Sequence, residues 1–391
     1  MKQFIKQNIL YYNYRKLSQE RKIKSQNRKY KINYNSTKIN KDILEDELAP
    51  SKLKIKIRDT QIKKNHDLNI LLIYYQANWE KAIEENLKCF GNLKVFNLKK
   101  YSDDIIFDNK TKDIINNDLL NYYFDCNKIN EINIVFCYTS PEHIFPNTLK
   151  KIRENGPFVV NMCLDDVLNF PGERTYNSTY NSVAGYFDAV DINLTNKPSS
   201  IQKYSYHGSY GYFFPECADA NVFYNLDAKK EYDVSFIGQK YGDRPIFIKR
   251  LRDKGINVKC FGRGWKGGEV SIEEMNIIYS KSWINLGFSE IGYCSNYKCL
   301  KGRDFEVPIS GNFYLTSFHK DLSLVYKIGT EIYTFNDYND CIKKIKFLLN
   351  NKQTINKISF NGQQRAVKDH SYKVRFERLF NQIGFWNIKI I

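Results

Sequence analysis

The sequence predicts an α/β protein of two successive doubly wound lobes facing across a cleft, with a basic N-terminal extension in front. Three observations point there. Short apolar runs of strand length alternate with helical patterns, and after about residue 225 the alternation starts again. The 391 residues exceed one ordinary core, which closes at about 100–200 residues. The positive charge is gathered at the front: residues 1–66 hold 18 Lys and Arg against 6 Asp and Glu, a net of +12, which leaves +5 of the total +17 for the rest.

Residues 1–66 lack Gly and are rich in Lys, Arg, Asn, Gln, Ser and Tyr. Such a stretch reads as a solvated, partly helical or disordered tail, or as a basic segment that docks on anionic lipid. The folded body is too weakly basic for a nucleic-acid surface, so nucleic acid is not an expected partner.

The first lobe is expected over 67–225. Asn69–Tyr75, Leu93–Leu98, Ile132–Tyr138, Pro157–Cys163, Asp188–Leu194 and Gly211–Phe214 read as strands, several of them continuous apolar runs that suit a sheet buried on both faces. Helical patterns lie between them at Trp79–Phe90, Asp113–Cys126 and Pro146–Glu154. The second lobe is expected over 226–370. Its strands are Tyr232–Gly238, Asn257–Phe261, Trp283–Phe288, Asn312–Thr316 and Glu331–Phe335, with helices at Pro245–Lys254, Leu300–Ile309, Asp337–Asn350 and Lys352–Val367. Ser271 followed by Glu274 has the spacing of a capping box, so a helix should start there. The stretch 371–391 is amphipathic and expected to form a helix that returns to the first lobe.

The nine Cys are scattered and form no C-x-x-C, which argues against a zinc ribbon or a thioredoxin-like site. Cys137 stands inside Ile-Val-Phe-Cys-Tyr, where a thiol is a small core residue. A reducing, cytoplasmic setting is the expectation. No run of about 18 apolar residues is present to span a bilayer.

The richest segment chemically is Asn296–Thr316, read as a basic loop, a short helix, a Gly turn and a strand. Arg303 and Glu306 are three apart and share one helical face. Near a helix N-terminus the backbone N–H groups favour a diphosphate, and Lys298, Lys301 and Arg303 add positive charge. A carboxylate beside them can accept hydrogen bonds from two adjacent ribose hydroxyls. The plain alternative is an exposed i,i+3 ion pair worth about 0.2–0.5 kcal/mol.

Tyr232-Asp-Val-Ser-Phe-Ile-Gly-Gln-Lys-Tyr-Gly-Asp-Arg244, then Gly302-Arg-Asp-Phe-Glu306 with Gly311 and the strand after it, then Asp369-His-Ser-Tyr with Arg375, resemble in order the CgeB-like (spore-maturation) glycosyltransferases, relatives of the retaining GT-B group 1, or family 4, enzymes. The resemblance covers about 68–385. It implies a GT-B-like fold of two Rossmann-like lobes. It also implies transfer of a sugar from a nucleotide-diphosphate donor, a uridine diphosphate sugar by expectation, to a glycan, lipid or protein acceptor, without metal or other cofactor. Carried over, Glu306 holds the donor ribose, Arg303 lies near the diphosphate, and Gly238, Lys301, Arg244 and Gly311 line the donor site. The broader family carries a second Glu eight residues before the first; that position here is Lys298, which is assigned with Arg303 to the departing diphosphate.

His143, after the strand ending at Tyr138, is a candidate to touch the transferred sugar or carry a proton, although a surface or packing role is the first reading. His207 and His319 are weaker candidates of the same kind. Asp165-Asp166 resembles a metal-binding pair only superficially and reads first as a loop and cap. Glu216 stands where the lobes join. Two other functions fit the same residues: a nucleotide-sugar-binding module without turnover, and a membrane- or nucleic-acid-associated protein acting through its tail.

Overall fold

The computed structural model describes residues 2–31, 67–174 and 180–385. Expectations for 32–66 and for the end of the last helix at Trp386 lie outside the described residues. The chain divides into two compact units. One, the N-terminal lobe, is Ser25–Pro215 with Arg375–Ile391; the other, the C-terminal lobe, is Glu216–Val374 with Met1–Lys24.

The N-terminal lobe holds six parallel strands: β1 (Leu68–Tyr74), β2 (Gly91–Asn97), β3 (Ile134–Tyr138), β4 (Phe158–Cys163), β5 (Ile192–Thr195) and β6 (Gly211–Phe213). Their order is β2-β1-β3-β4-β5-β6. Strand β1 is central because its run of Leu and Ile can be covered on both faces; six of its seven residues are buried. Leu71, Ile73, Val135 and Cys137 pack with Ile115 and Leu119 of the helix Asn109–Ile129 and with Leu149 and Ile152 of the helix Pro146–Glu154. The first helix starts where Asp108 accepts a hydrogen bond from the Thr111 N–H at 2.7 Å. Phe376 and Phe380, on the helix Tyr372–Gln382, close this lobe: the Phe376 ring stacks on Phe214 at 5.8 Å, and Phe380 meets Phe90 edge-on at 5.1 Å.

The C-terminal lobe holds β7 (Tyr232–Ile237), β8 (Val258–Phe261), β9 (Ser282–Gly287), the short strands β10 (Glu290–Ile291) and β11 (Cys294–Lys298), then β12 (Tyr314–Ser317) and β13 (Tyr333–Phe335). Five of them form a parallel sheet in the order β13-β12-β9-β7-β8, and β10 pairs with β11 as an antiparallel hairpin. Val234, Phe236, Ile284, Leu286 and Leu315 make its core with Ile248, Leu251 and Ile345. Ser271 and Glu274 form the expected capping box: the Glu274 N–H donates to Ser271 Oγ at 3.1 Å, and the Ser271 N–H to Glu274 Oε2 at 2.7 Å.

From β7 the chain goes to one side for β8, then crosses to the other for β9, β12 and β13. The sheet's switch point is therefore at the carboxyl ends of β7 and β9, where ligands sit in open α/β sheets.

One element differs from expectation, and of the readings of the tail the partly helical one holds for its front. The basic loop before Arg303 is the hairpin β10–β11, turned by Gly292 at φ 55°. The front of the tail, Lys2–Lys29, is one continuous helix. Its inward stripe is largely polar (Tyr12, Gln19, Ile23, Gln26), so hydrophobic periodicity does not reveal it.

Candidate functional site

Strand β7 ends in Gly238, and the chain is crowded there. A Cβ on Gly238 would lie 3.0 Å from the Phe236 ring and 3.2 Å from Arg303 Nη1. On the other side Gly262, at φ 109°, backs onto the Gly238 carbonyl so closely that a Cβ would stand 2.6 Å from that oxygen. The Trp265 indole N–H donates to the same carbonyl at 2.8 Å. The strand end is thus clamped, and its glycine leaves room for a guanidinium alongside.

That guanidinium opens the helix Arg303–Ile309. The Arg303 carbon Cζ lies 5.6 Å from the Phe236 ring centroid, and Arg244 lies at the same distance from the same ring while stacking on Tyr241 at 4.2 Å. Each such contact is worth about 0.5–2 kcal/mol. Arg303 Nε is buried without a hydrogen-bond partner, and among the described residues no carboxylate comes within ion-pair distance of Arg303. The exposed Arg303–Glu306 ion pair therefore does not form. Burial opposes the arginine's charge, but Tyr314, Tyr279, Glu306 and Asp304 around it win, and its proton is held more tightly than usual. A fixed cation with unused donors costs about 1–3 kcal/mol per unmet buried group.

Two acids flank it on the same helix. Asp304 is fully buried; its Oδ1 accepts from the Tyr314 hydroxyl at 2.7 Å and its Oδ2 from the Lys301 backbone N–H at 2.7 Å. Burial nevertheless pushes its carboxyl up to about 6, against these bonds and Arg303. Glu306 is part-exposed. Its Oε2 accepts from the Tyr279 hydroxyl at 3.0 Å, and burial raises its carboxyl more than Arg303 lowers it. Its Oε1 has no protein donor among the described residues and lies over Gly302, where a Cβ would stand 2.7 Å from it and 3.0 Å from Glu216 Oε2. Glu216 thus belongs to this corner of the lobe.

The structure brings Gly238, Arg244, Arg303 and Glu306 together, with Lys301 next to them through its N–H. Arg244 is buried and spends Nη1 on the Gln239 carbonyl at 3.1 Å, so it holds the loop after β7. Burial, and then Arg303, weaken its hold on its proton. Lys298 ends β11 opposite Glu290 and donates to the Phe318 carbonyl at 3.0 Å. Gly311 is not brought to this corner. It lies past the other end of the helix, at φ 72°, where its N–H reaches the Pro308 carbonyl at 2.9 Å and the Asn312 N–H the Val307 carbonyl at 3.2 Å. That is a Schellman stop, which needs glycine for its backbone alone.

His143 stands in the N-terminal lobe after β3, its ring edge-on to Phe107 at 5.8 Å, and burial lowers its basicity. His207 is boxed by Tyr30, Phe170, Tyr180 and Tyr206. His319 is buried 3.8 Å from Asp321. Asp166 is fully buried and its carboxyl is bonded by Ser200 and Tyr204, while Asp165 accepts from the N–H groups of Leu168 and Asn169 through its backbone carbonyl. Among the described residues no group of three or more His, Cys, Asp or Glu could hold a metal ion. Sequence reading passed over Asp304, Tyr279, Tyr314 and Phe236. Asp304 had a signal, standing between Arg303 and Glu306, but nothing in the sequence says which of the three turns inward.

Residues 244–381 match the model of the glycosyl transferase-like family. The fold resembles sucrose-phosphate synthase from Thermosynechococcus elongatus, with a TM-score of 0.57, 10% identity, and 81% of this chain and 99% of that one covered. A glycosyltransferase from Rickettsia africae gives 0.56, with 9% identity over 81% and 98%. Anabaena HepE in complex with UDP and glucose gives 0.55, with 9% identity over 80% and 99%. The fold is GT-B. Each of its two units is a parallel Rossmann-like sheet, and Arg244, Arg303 and Glu306 all lie in the segment that matches the glycosyl transferase-like model. No curated protein matches the chain in sequence. No helix among the described residues is long and apolar enough to cross a membrane.

Proposed function

We propose that the protein transfers a sugar from a nucleoside diphosphate donor, with uridine as the expected base, to a hydroxyl-bearing glycan, lipid or protein acceptor, and that it belongs with the CgeB-like branch, a reading supported by the motifs around Gly238 and Arg303. The observation that carries this is Arg303: a fixed guanidinium with unused donors at the switch point of the C-terminal lobe's sheet. An anion completes it. One cation about 4 Å from a phosphate is worth roughly 4 kcal/mol at an effective dielectric of 20. HepE, of the same fold, is described with UDP-glucose.

In the reaction the bond from the sugar's C1 to the diphosphate oxygen breaks, and the electron pair leaves with the diphosphate. Arg303 stabilises that charge as it develops, with Arg244 and the lysines at 298 and 301 adding to the field. The acceptor oxygen bonds to C1 and gives up its proton; His143, kept neutral by burial, is our candidate to take it. Glu306 offers its free Oε1 to the ribose hydroxyls, steadied by Tyr279 through Oε2.

The test is a thermal-shift screen with uridine, guanosine, adenosine and thymidine diphosphates. A ligand at 100 times its dissociation constant adds about 2.7 kcal/mol. Glu306→Gln should then weaken uridine diphosphate binding by about 1.5–3 kcal/mol, or roughly ten- to a hundredfold. Equal affinity in the two proteins removes Glu306 from the site. Absence of even slow UDP-glucose hydrolysis, with binding intact, would favour a module that binds without turnover.

A further inference from the structure

The helix Lys2–Lys29 has two different faces over residues 10–24. One is docked on the C-terminal lobe. Tyr12 donates its hydroxyl to Asp243 and meets the Tyr293 ring at 5.8 Å, Gln19 accepts from the Tyr293 N–H at 2.8 Å, and Ile23 is fully buried. At 100° per residue these side chains fall on one stripe. The opposite crest carries Leu10, Tyr14, Leu17 and Arg21, at i, i+4, i+7 and i+11. Leu10 is 69% exposed, Tyr14 68% and Leu17 55%, with Tyr11 beside them at 56%. Large apolar side chains at helical spacing belong on a covered face, yet here they point away from the lobe that holds the helix. Exposed Arg21, Lys22 and Lys24 follow directly.

We infer that this crest is a membrane-surface anchor that lies in the headgroup region of an anionic bilayer, with Leu10, Tyr14 and Leu17 inserted among the acyl chains and Arg21, Lys22 and Lys24 on the lipid phosphates. The charge decides between occupants. A second copy meeting the crest through a two-fold axis would bring the basic cluster onto itself where the helices run parallel, or onto the apolar end at Leu10 where they run antiparallel, and neither supplies an anion. Nucleic acid would satisfy the bases but leave the leucines uncovered. An anionic lipid surface matches both, and aromatic-plus-basic helices of this kind lie in the interface plane. The inference is independent of the donor reading.

The experiment uses the full chain and vesicles of phosphatidylcholine, alone or mixed with phosphatidylglycerol. Wild type should sediment with the mixed vesicles and not with the neutral ones. Combined Leu10→Ser, Tyr14→Ser and Leu17→Ser should cut that binding at least about tenfold. So should combined Arg21→Glu and Lys22→Glu, with circular dichroism and uridine diphosphate binding unchanged in both. The inference is overturned if wild type ignores mixed vesicles or the serine variant binds them equally. Light scattering that shows a wild-type dimer, made monomeric by the serine variant, also overturns it, in favour of a second copy. A wrong donor reading would show instead as wild type failing to bind uridine diphosphate, whatever the vesicles report.

Discussion

Each lobe buries a cationic side chain among acids and hydroxyls, and the two clusters are finished differently. In the N-terminal lobe, Lys203 is fully buried and its ammonium donates to Gln26 Oε1 at 2.9 Å and to the carbonyls of Asp166 and Val167 at 2.8 and 3.2 Å. The Asp166 carboxylate takes Ser200 at 2.7 Å and Tyr204 at 3.0 Å. The ammonium's three donors are all used, and both carboxylate oxygens are engaged. In the C-terminal lobe, Arg303 leaves Nε unmet and Glu306 leaves Oε1 open. A closed set of partners holds a fold together, whereas unused hydrogen-bonding capacity beside a strand end is a place for a ligand. Burial of charge is common to both and says little by itself.

The largest effect should follow from breaking the closed cluster. Lys203→Met removes the ammonium and leaves Asp166 buried without its cation. Gln26 Oε1 and the carbonyls of Asp166 and Val167 also lose their donor, and each buried group left unmet costs about 1–3 kcal/mol. The N-terminal lobe should unfold at markedly lower temperature and be cut sooner by protease, while uridine diphosphate binding by the folded fraction stays as in wild type. A variant as stable as wild type would mean that the cluster is not structural, and the contrast between the lobes would fail.

Opening the other cluster further should do the reverse. Arg303→Met keeps an apolar stem against Phe236 and deletes the unmet donors. Uridine diphosphate affinity should fall by about 1.5–3 kcal/mol, roughly ten- to a hundredfold. The unfolding temperature should hold or rise, because an unsatisfied buried group is gone. A loss of stability like that of Lys203→Met, with affinity unchanged, would make Arg303 structural.

Much of this was legible in residue order. Apolar runs such as those within Asn69–Tyr75 and Ile132–Tyr138 have strand length and suit a sheet buried on both faces, and Ser271 with Glu274 marked a helix start to the residue. Arg303 and Glu306 were legible as a pair because helical spacing puts them on one side. What stayed hidden depends on contacts distant in sequence. Gly311 stands just before the same strand whichever role it has, and only the bonds to Pro308 and Val307 show that it stops a helix. The hairpin β10–β11 is too short and polar to stand out. The front helix docks through Tyr12 and Gln19, so its inward face lacks the apolar stripe that marks most helices, while Leu10, Tyr14 and Leu17 point outward. Asp304 was the costliest omission: it looks like any acid in a first turn, and its burial depends on Tyr314, ten residues on, reaching back to it.

That burial gives the smallest and most specific prediction. Asp304 has a raised carboxyl, at about 6, because burial disfavours its charge. Below that pH it is mostly neutral, and the field of Arg303 is undiminished. As pH rises through 6 the carboxylate ionises beside Arg303 and opposes an approaching diphosphate. Asp304→Asn keeps the neutral form at every pH and can still accept one hydrogen bond from Tyr314 or the Lys301 N–H. The ratio of variant to wild-type affinity should therefore be near one at about pH 5 and grow severalfold by about pH 7.5. The growth follows from linkage: a donor that binds the neutral acid better than the carboxylate loses affinity as the proton leaves, and about 1.4 kcal/mol of preference is worth tenfold. UDP-glucose is the ligand to titrate, because its diphosphate carries constant charge over this range whereas free uridine diphosphate gains a charge there. A ratio independent of pH would mean that Asp304 does not sense the donor, and would confine it to holding Tyr314 and the start of the helix.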